Sequence, residues 1–223
     1  MDADEGATRV IVVDTARVVD GPTSLDAPFL ASEMLETALL DAPSGGTVRV
    51  EMTLPEALVF SYELRAPVVE RLGALGAALE LCINTDEEPR LSDFDCYQDG
   101  GHIHVWMGER HPHEATALTG LTPTKVMRVG DRIGGPRSTR TAKQSSWHIE
   151  LEHEPAIEPS ALAYEICDRF SPAAAAACRA YGVRLRFTFM TRCLRGGLRF
   201  EREAVARIAA LHVPLACYFY NGF

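Results

Sequence analysis

Two stretches of the chain, 136 residues apart, share one pattern. Residues 64–83 read LRAPVVERLGALGAALELCI, and residues 200–219 read FEREAVARIAALHVPLACYF. At this offset Leu79 aligns with Leu215. In both stretches apolar residues recur at helical spacing and then continue as a short apolar run, which is typical of a helix followed by a strand. The pattern predicts a chain with two similar halves, an internal duplication.

The same order of elements precedes both stretches. Alternating apolar and polar residues predict strands at 48–54 and 183–189, each with one buried face. Helix signals with turn or cap residues just upstream come before these strands. The remaining predicted elements are helices at 30–40 and 162–172, first strands at 9–15 and 147–153, and weaker strands at 57–62 and 196–200.

The order strand, helix, strand, strand, helix, strand is that of a ferredoxin-like unit. We therefore predict an α+β protein of two tandem ferredoxin-like (βαββαβ) units, with antiparallel sheets and helices on one face, so that the other face is open. The alternative is a single irregular α+β domain whose halves only look alike. The predicted division is a first unit at 1–86, a polar linker at 87–100 and a second domain at 101–223.

The second domain begins with a segment that has no counterpart in the first. Residues 101–109 alternate and predict a strand, and residues 111–120 predict a short helix that ends at Gly120. A basic loop follows at 121–146, and a ferredoxin-like unit is predicted at 147–223. A loop of this length is more often functional or mobile than part of a scaffold.

From about His102 to its end, the chain has a strand and short helix, the sequence LTPTKVMRVGD in the basic loop, a strand that opens on a tryptophan, a long helix, and a glycine pair before the last helix and strand. In these features it resembles a bacterial family, the domain of unknown function 4279. The resemblance implies a domain type without an assigned activity. The first half would be a diverged partial copy. The positions carried over are Thr122, Pro123, Thr124, Gly130, Asp131, Trp147, Gly196 and Gly197.

Three predicted strands of the second domain would present polar and aromatic side chains on one face. If these strands are neighbours, the face is a recognition surface, because Trp and Arg are enriched at binding hot spots. The other reading is a face covered by the first unit, with the same residues paired internally. The residues of this face are His102, His104, Trp106, His148, Glu150, Arg184, Arg186 and Thr188.

From this face and the basic loop we select the binding candidates. The loop could hold a phosphate or a carboxylate, because its basic side chains can form charge-assisted hydrogen bonds. A solvated loop without a ligand is the alternative. The candidates are Trp106, His148, Arg184, Arg186, Thr122, Thr124, Asp131 and Arg137.

His102 and His104 form a His-x-His pair. On a strand the two side chains point the same way, so they could share a divalent metal ion. A third ligand could come from Asp131, His148 or Glu150. Histidines that are solvated or face a partner are the alternative, and then no cofactor is required.

The net charge of −9 is unevenly distributed. Residues 1–99 carry 6 Lys and Arg against 20 Asp and Glu, a net −14, whereas residues 100–223 carry 16 against 11, a net +5. An acidic half repels nucleic acid and can steer a basic protein partner. The alternative is a charged surface that only maintains solubility. No aromatic side chain that could stack on bases lies in the basic loop.

The sequence has no established nucleophile motif. Its six cysteines are scattered, no apolar run approaches the ~20 residues that span a bilayer, and the acidic N-terminus has no signal-peptide pattern. We therefore expect a cytoplasmic, non-enzymatic protein that binds a protein partner, as bacterial immunity proteins neutralise a toxin or enzyme. The alternative is a metal-dependent enzyme or a small-ligand protein that uses the His/Trp/Arg face.

Overall fold

The computed structural model describes residues 8–13, 44–54, 59–85, 96–134, 138–191 and 196–221. Within these residues the chain forms ten strands and five helices. The strands are β1 (Thr8–Val13), β2 (Thr47–Leu54), β3 (Val59–Leu64), β4 (Ala78–Thr85), β5 (Cys96–Gly108), β6 (Lys125–Met127), β7 (Ser145–His153), β8 (Gly182–Thr191), β9 (Gly196–Phe200) and β10 (Leu215–Asn221). The helices are α1 (Ala66–Ala74), α2 (His113–Thr119), α3 (Pro159–Arg169), α4 (Pro172–Ala177) and α5 (Arg202–Ala209).

The strands form two sheets, and each sheet takes strands from both halves of the sequence. The four-stranded sheet has the order β1-β2-β4-β9, in which the first three strands are parallel and β9 is antiparallel to β4. The six-stranded sheet has the order β3-β10-β8-β5-β7-β6. In this sheet β10 and β8 pair in parallel, and the other neighbours pair antiparallel. The predicted α+β class is confirmed.

The strand pairing differs from that of tandem ferredoxin-like units with separate antiparallel sheets. Both edges of β8 are occupied, one by β10 and the other by the long strand β5. No edge of β8 is left for β9, which pairs instead with β4 of the N-terminal half. Conversely, β3 of the N-terminal half pairs with β10 of the C-terminal half.

The two exchanged pairings have related registers. Leu79 lies opposite Phe200 in the β4–β9 pair, and Leu215 lies opposite Leu64 in the β10–β3 pair. The offset of 136 residues converts one pair into the other. The helices α1 and α5, which follow β3 and β9, pack against each other. The N-terminal half therefore contributes β3 to the sheet that contains β10, and the C-terminal half contributes β9 to the sheet that contains β4.

The predicted buried faces are confirmed where the side chains are described. Leu185, Phe187 and Phe189 are almost completely buried on β8, as are Ile103 and Val105 on β5. Helix α3 covers this face, since a Cβ on Gly101 would lie 3.3 Å from Leu162. The side chains at alternate positions of the same strands consequently point to the opposite face of the six-stranded sheet.

Two local predictions have different outcomes. The short helix is confirmed as α2, which ends at Gly120 with φ of 70°. A left-handed residue after a helix is favoured as glycine, because it has no Cβ to strain the turn. The segment 87–100 is not linker throughout, because β5 begins at Cys96. The helix predicted at 30–40 lies outside the described residues.

Candidate functional site

Strand register brings the predicted polar residues together on one face of the six-stranded sheet. His104 lies opposite His148 on β7 and opposite Arg184 on β8. His102 lies opposite Glu150 and Arg186 in the same way. We call this surface the histidine face, and it comprises His102, His104, Trp106, His148, Glu150, Arg184, Arg186 and Thr188.

Aromatic rings stack along the middle of the histidine face. The His104 ring is stacked on Trp106 with 3.7 Å between ring centroids, and its centroid lies 4.0 Å from that of His148. Ser146, which is almost completely buried, is joined to Nε2 of His148 by a hydrogen bond of 2.7 Å. The ring of His104 therefore contacts two other rings, and one nitrogen of His148 is already engaged in a hydrogen bond within the protein.

A single carboxylate oxygen lies close to three nitrogen atoms. Oε1 of Glu150 is 3.9 Å from Nζ of Lys125, 3.9 Å from Nδ1 of His148 and 4.0 Å from Nδ1 of His102. These distances exceed those of direct hydrogen bonds, so the interactions are electrostatic. Glu150 balances one positive charge at the edge of the histidine face.

All three imidazoles are held in the neutral form at neutral pH. Burial, together with the positive charges of Arg186 and Lys125, lowers the pKa of His102 and His148 to about 4. Burial is the main cause that lowers the pKa of His104 to about 3, and the electrostatic effects of His148, Arg184 and Arg186 lower it further. A neutral imidazole can both donate and accept a hydrogen bond, so these side chains can serve polar groups of either kind.

The two arginines of the histidine face differ in their partners. Arg184 forms an ion pair of 3.1 Å with Glu63 on β3, and its guanidinium lies 4.9 Å from the Trp106 ring centroid. Burial raises the pKa of Glu63, although Arg184 opposes the rise. Arg186 lies over the ring of Tyr218, 3.9 Å from its centroid. Arg184 thus joins the histidine face to the N-terminal half.

A cavity of about 450 Å³ opens on this face. Three residues that line it have a buried polar atom without a hydrogen-bond partner: Oδ1 of Asp99, Nε2 of His104 and Oγ1 of Thr188. Buried polar atoms without partners are rare in folded proteins, and a ligand is one explanation for them. The lining residues are Asp99, Gly100, His102, His104, Lys125, His148, Glu150, Glu152, Arg186, Thr188 and Met190.

A family model described as a domain of unknown function, DUF4279, matches residues 102–221, which is more than half of the chain. The chain belongs to the DUF4279 family. No curated protein and no solved structure matches it significantly. The matched DUF4279 segment contains every residue of the histidine face, whereas Glu63 lies outside it.

The basic loop of the DUF4279 segment has mainly internal contacts. Thr124 joins the loop to the backbone of β7: its hydroxyl donates to the His148 carbonyl at 3.3 Å and accepts from the Glu150 N–H at 2.8 Å. Asp131 closes a turn by accepting a hydrogen bond of 2.6 Å from the N–H of Arg128. Thr122 is exposed and does not line the cavity. Arg137 lies outside the described residues.

The part of the chain that the structure describes places no third metal ligand beside His102 and His104. Within it, no group of three or more His, Cys, Asp or Glu side chains is placed to hold a metal ion. His102 and His104 lie on one face as predicted, but the ring of His104 is stacked on Trp106 and contacts the tilted ring of His148. Metal binding therefore stays a hypothesis for these two residues.

The described thiols and helices limit other readings. Burial raises the pKa of Cys82 to about 11 and that of Cys167 to about 12, and it also raises the pKa of Cys178 and Cys217. These thiols are poor nucleophiles at neutral pH. Cys193 lies outside the described residues.

Among the helices of the described segments, none combines the length and apolar character that crossing a bilayer requires.

Several contributors to the site were not predicted. Gly100 continues the alternation of His102 and His104 by one step, so the period of the strand could have indicated it. Tyr218 could likewise be placed by alternation on β10. Lys125 and Glu63 had no such signal, because their positions depend on which strands pair at the sheet edges.

Proposed function

We propose that this DUF4279 protein is a non-enzymatic binding protein and that the histidine face is its recognition site. The observation that carries the proposal is the cavity whose lining residues hold the buried, unpartnered polar atoms Oδ1 of Asp99, Nε2 of His104 and Oγ1 of Thr188. General acid–base catalysis works best with a pKa near the working pH. The pKa values of His102, His104 and His148 lie at about 3 to 4, which favours hydrogen bonding over proton transfer.

We further propose that the partner is a protein, in the manner of a bacterial immunity protein in the cytoplasm. Trp106, Arg184 and Arg186 are of the types that dominate interface energies. The net charge of −14 on residues 1–99 would steer a partner with a basic surface towards the protein. Recognition would then combine long-range attraction by the acidic half with insertion of a partner side chain into the cavity.

A small-molecule ligand is the second candidate for the same face. A volume of about 450 Å³ lies within the usual range of small-molecule sites, and such sites carry a few convergent polar groups. Under this reading the histidine face holds a free ligand. A metal-dependent reaction at His102 and His104 would belong to this second class.

Capture from a native lysate tests the proposal when it is made sensitive to the face. The wild-type protein and the variants Arg186→Met and Arg186→Glu serve as baits. The matched controls are Arg202→Met and Arg202→Glu, at an exposed position at the start of α5. We expect one protein that the wild type and the Arg202 variants retain and the Arg186 variants lose. Equal capture by all five baits would contradict a recognition role for the histidine face.

Elemental analysis of the purified protein separates the metal reading from the others. Stoichiometric zinc, iron or manganese that disappears in the variant His102→Gln would favour the second class and argue against a plain binding protein. The imidazole ligands would have to be neutral, so such a metal would be released on acidification.

A further inference from the structure

One side of the cavity on the histidine face is kept open by a glycine. Gly100 lies opposite Thr188 on β8 and Glu152 on β7. A Cβ on Gly100 would lie 3.0 Å from Nε2 of His102 and 3.0 Å from the carbonyl oxygen of Leu151. Any side chain at this position would therefore occupy the space beside His102.

The lining of this cavity is polar almost throughout. Among the lining residues, only Gly100 and Met190 lack a strongly polar side chain. Pockets for small molecules are usually lined mainly by apolar side chains, with only a few polar groups. Polar groups that lose water need hydrogen bonds in return. A ligand of this cavity must therefore be polar over most of its surface.

A full charge of either sign would meet like-charged side chains in the lining. Lys125 and Arg186 oppose a cation. The carboxylates of Asp99, Glu150 and Glu152 oppose an anion, and they outnumber the two cations. Because juxtaposed like charges are unfavourable, an uncharged ligand fits this lining best.

The imidazoles of His102, His104 and His148 add hydrogen-bonding capacity without adding charge. Their pKa values of about 4, 3 and 4 keep them neutral at neutral pH. A neutral imidazole donates through one nitrogen and accepts through the other. The lining thus contains donors, acceptors and groups that can act as either.

Hydrogen-bonding capacity is unused at three residues of the lining. Among the described residues, Oδ1 of Asp99, Nε2 of His104 and Oγ1 of Thr188 are buried and have no hydrogen-bond partner. An ionised carboxylate only accepts, whereas a ring nitrogen or a hydroxyl can take either role. A ligand that satisfies such a lining must both donate and accept at several points. A hydroxyl group does both through a single atom, whereas an amide divides the two roles between two atoms.

We propose that the cavity binds an uncharged, polyhydroxylated small molecule, a sugar or a polyol, whose hydroxyl groups form hydrogen bonds with Nε2 of His104 and Oγ1 of Thr188. The volume of about 450 Å³ lies within the range of small-molecule sites. This inference rests on the proposed role of the histidine face as a recognition site, and it names the chemistry of the small-molecule candidate for that face.

NMR titration of the full chain at neutral pH tests the inference, with D-glucose, D-ribose and myo-inositol as probes. Each probe is compared with its phosphate monoester, and glucose is also compared with glucosamine, which carries an ammonium group. We expect at least one uncharged probe to bind, and its charged counterparts to bind more weakly. The affinity for the uncharged probe should not change when the salt concentration is raised, because no ionic attraction contributes to it.

Variants locate the binding within the cavity. We expect Thr188→Val to weaken binding by about threefold to tenfold, because it removes one hydrogen bond and preserves the shape of the side chain. Gly100→Ala places a methyl group beside His102 and should also weaken binding. Thr139→Val, at an exposed threonine that does not line the cavity, is the matched control and should bind as the wild type does. Thermal melts show whether each variant is folded, and Thr188→Val decides the test if Gly100→Ala does not fold.

The inference is overturned if none of the three uncharged probes binds, if a charged counterpart binds more tightly than its uncharged parent, or if Thr188→Val binds as the wild type does. Its failure is distinguishable from that of the proposed function. A protein captured by the wild type and lost by the Arg186 variants would support the recognition role even when no sugar or polyol binds.

Discussion

Gly73 on α1 and Ala209 on α5 meet where the two helices pack against each other. A Cβ on Gly73 would lie 2.6 Å from the Cβ of Ala209, closer than two carbon atoms can approach without movement. The residues are 136 positions apart, so they occupy matching positions in the two similar stretches of sequence. One of two matching positions must be a glycine for the helices to approach this closely.

The substitution Gly73→Ala is expected to destabilise the protein. Alanine favours a helix by about 1 kcal/mol over glycine, but an overpacked contact costs about 1–3 kcal/mol, and the neighbouring atom is a rigid methyl group. Urea unfolding measures the net change. The double variant Gly73→Ala/Ala209→Gly moves the methyl group to the other helix and should recover most of the loss. Stabilisation by Gly73→Ala alone would show that the helices separate easily.

Trp147→Ala should cost about 3–5 kcal/mol of unfolding free energy, the range for truncation of a large buried aromatic side chain. Trp147 is completely buried, and its ring N–H donates to Oγ1 of Thr116 at 3.1 Å. The matched variant Thr116→Val removes the acceptor and keeps the ring, so we expect a loss of about 1 kcal/mol. Denaturant melts followed by circular dichroism compare the two. A loss below about 0.5 kcal/mol for Trp147→Ala would contradict its place in the core.

Arg184→Met should destabilise the protein by about 1–2 kcal/mol, because it leaves the largely buried Glu63 carboxylate without its cation. The double variant Glu63→Gln/Arg184→Met should recover part of this loss. Because burial already raises the pKa of Glu63, the deficit of the single variant should shrink as the pH falls and the carboxyl takes up a proton.

The exposed ion pair of Arg199 and Glu201, at 2.9 Å, is the control for Arg184→Met. Arg199→Met should change stability by less than about 0.5 kcal/mol, since exposed pairs contribute little. If Arg184→Met and Arg199→Met change the free energy of unfolding equally in urea, the ion pair between β8 and β3 contributes no more to stability than an exposed pair.

The stability of the protein should fall as the pH is lowered from about 6.5 towards 4. The imidazoles of His102, His104 and His148 have pKa values of about 4, 3 and 4 in the folded chain, against 6.5 for the free group. The unfolded chain therefore binds more protons in this window, which favours unfolding. Urea unfolding at several pH values measures the slope, and His148→Gln should reduce it. Imidazole NMR signals assigned to His102, His104 and His148 that titrate near pH 6.5 would contradict this expectation.

Much of the secondary structure could be predicted from the sequence, because burial faces follow from local periodicity. The alternation of His102, His104 and Trp106 placed them on one face before any strand partner was known. The exchange of β3 and β9 could not be predicted in this way. Alternation assigns a residue to a face and contains no information on which strand lies beside it. The ion pair of Glu63 with Arg184 follows from that exchange, and the internal duplication itself stays a prediction.

The exchange of β3 and β9 has a consequence for the order of events during synthesis. When β3 and β4 emerge from the ribosome, their partners β10 and β9 have not yet been translated. Each is left with a strand edge that only the C-terminal part of the chain can cover, and uncovered edges promote aggregation. The N-terminal half must therefore wait for almost the whole polypeptide before its sheet is complete, and a nascent chain that stalls after the first half would be a target for chaperones.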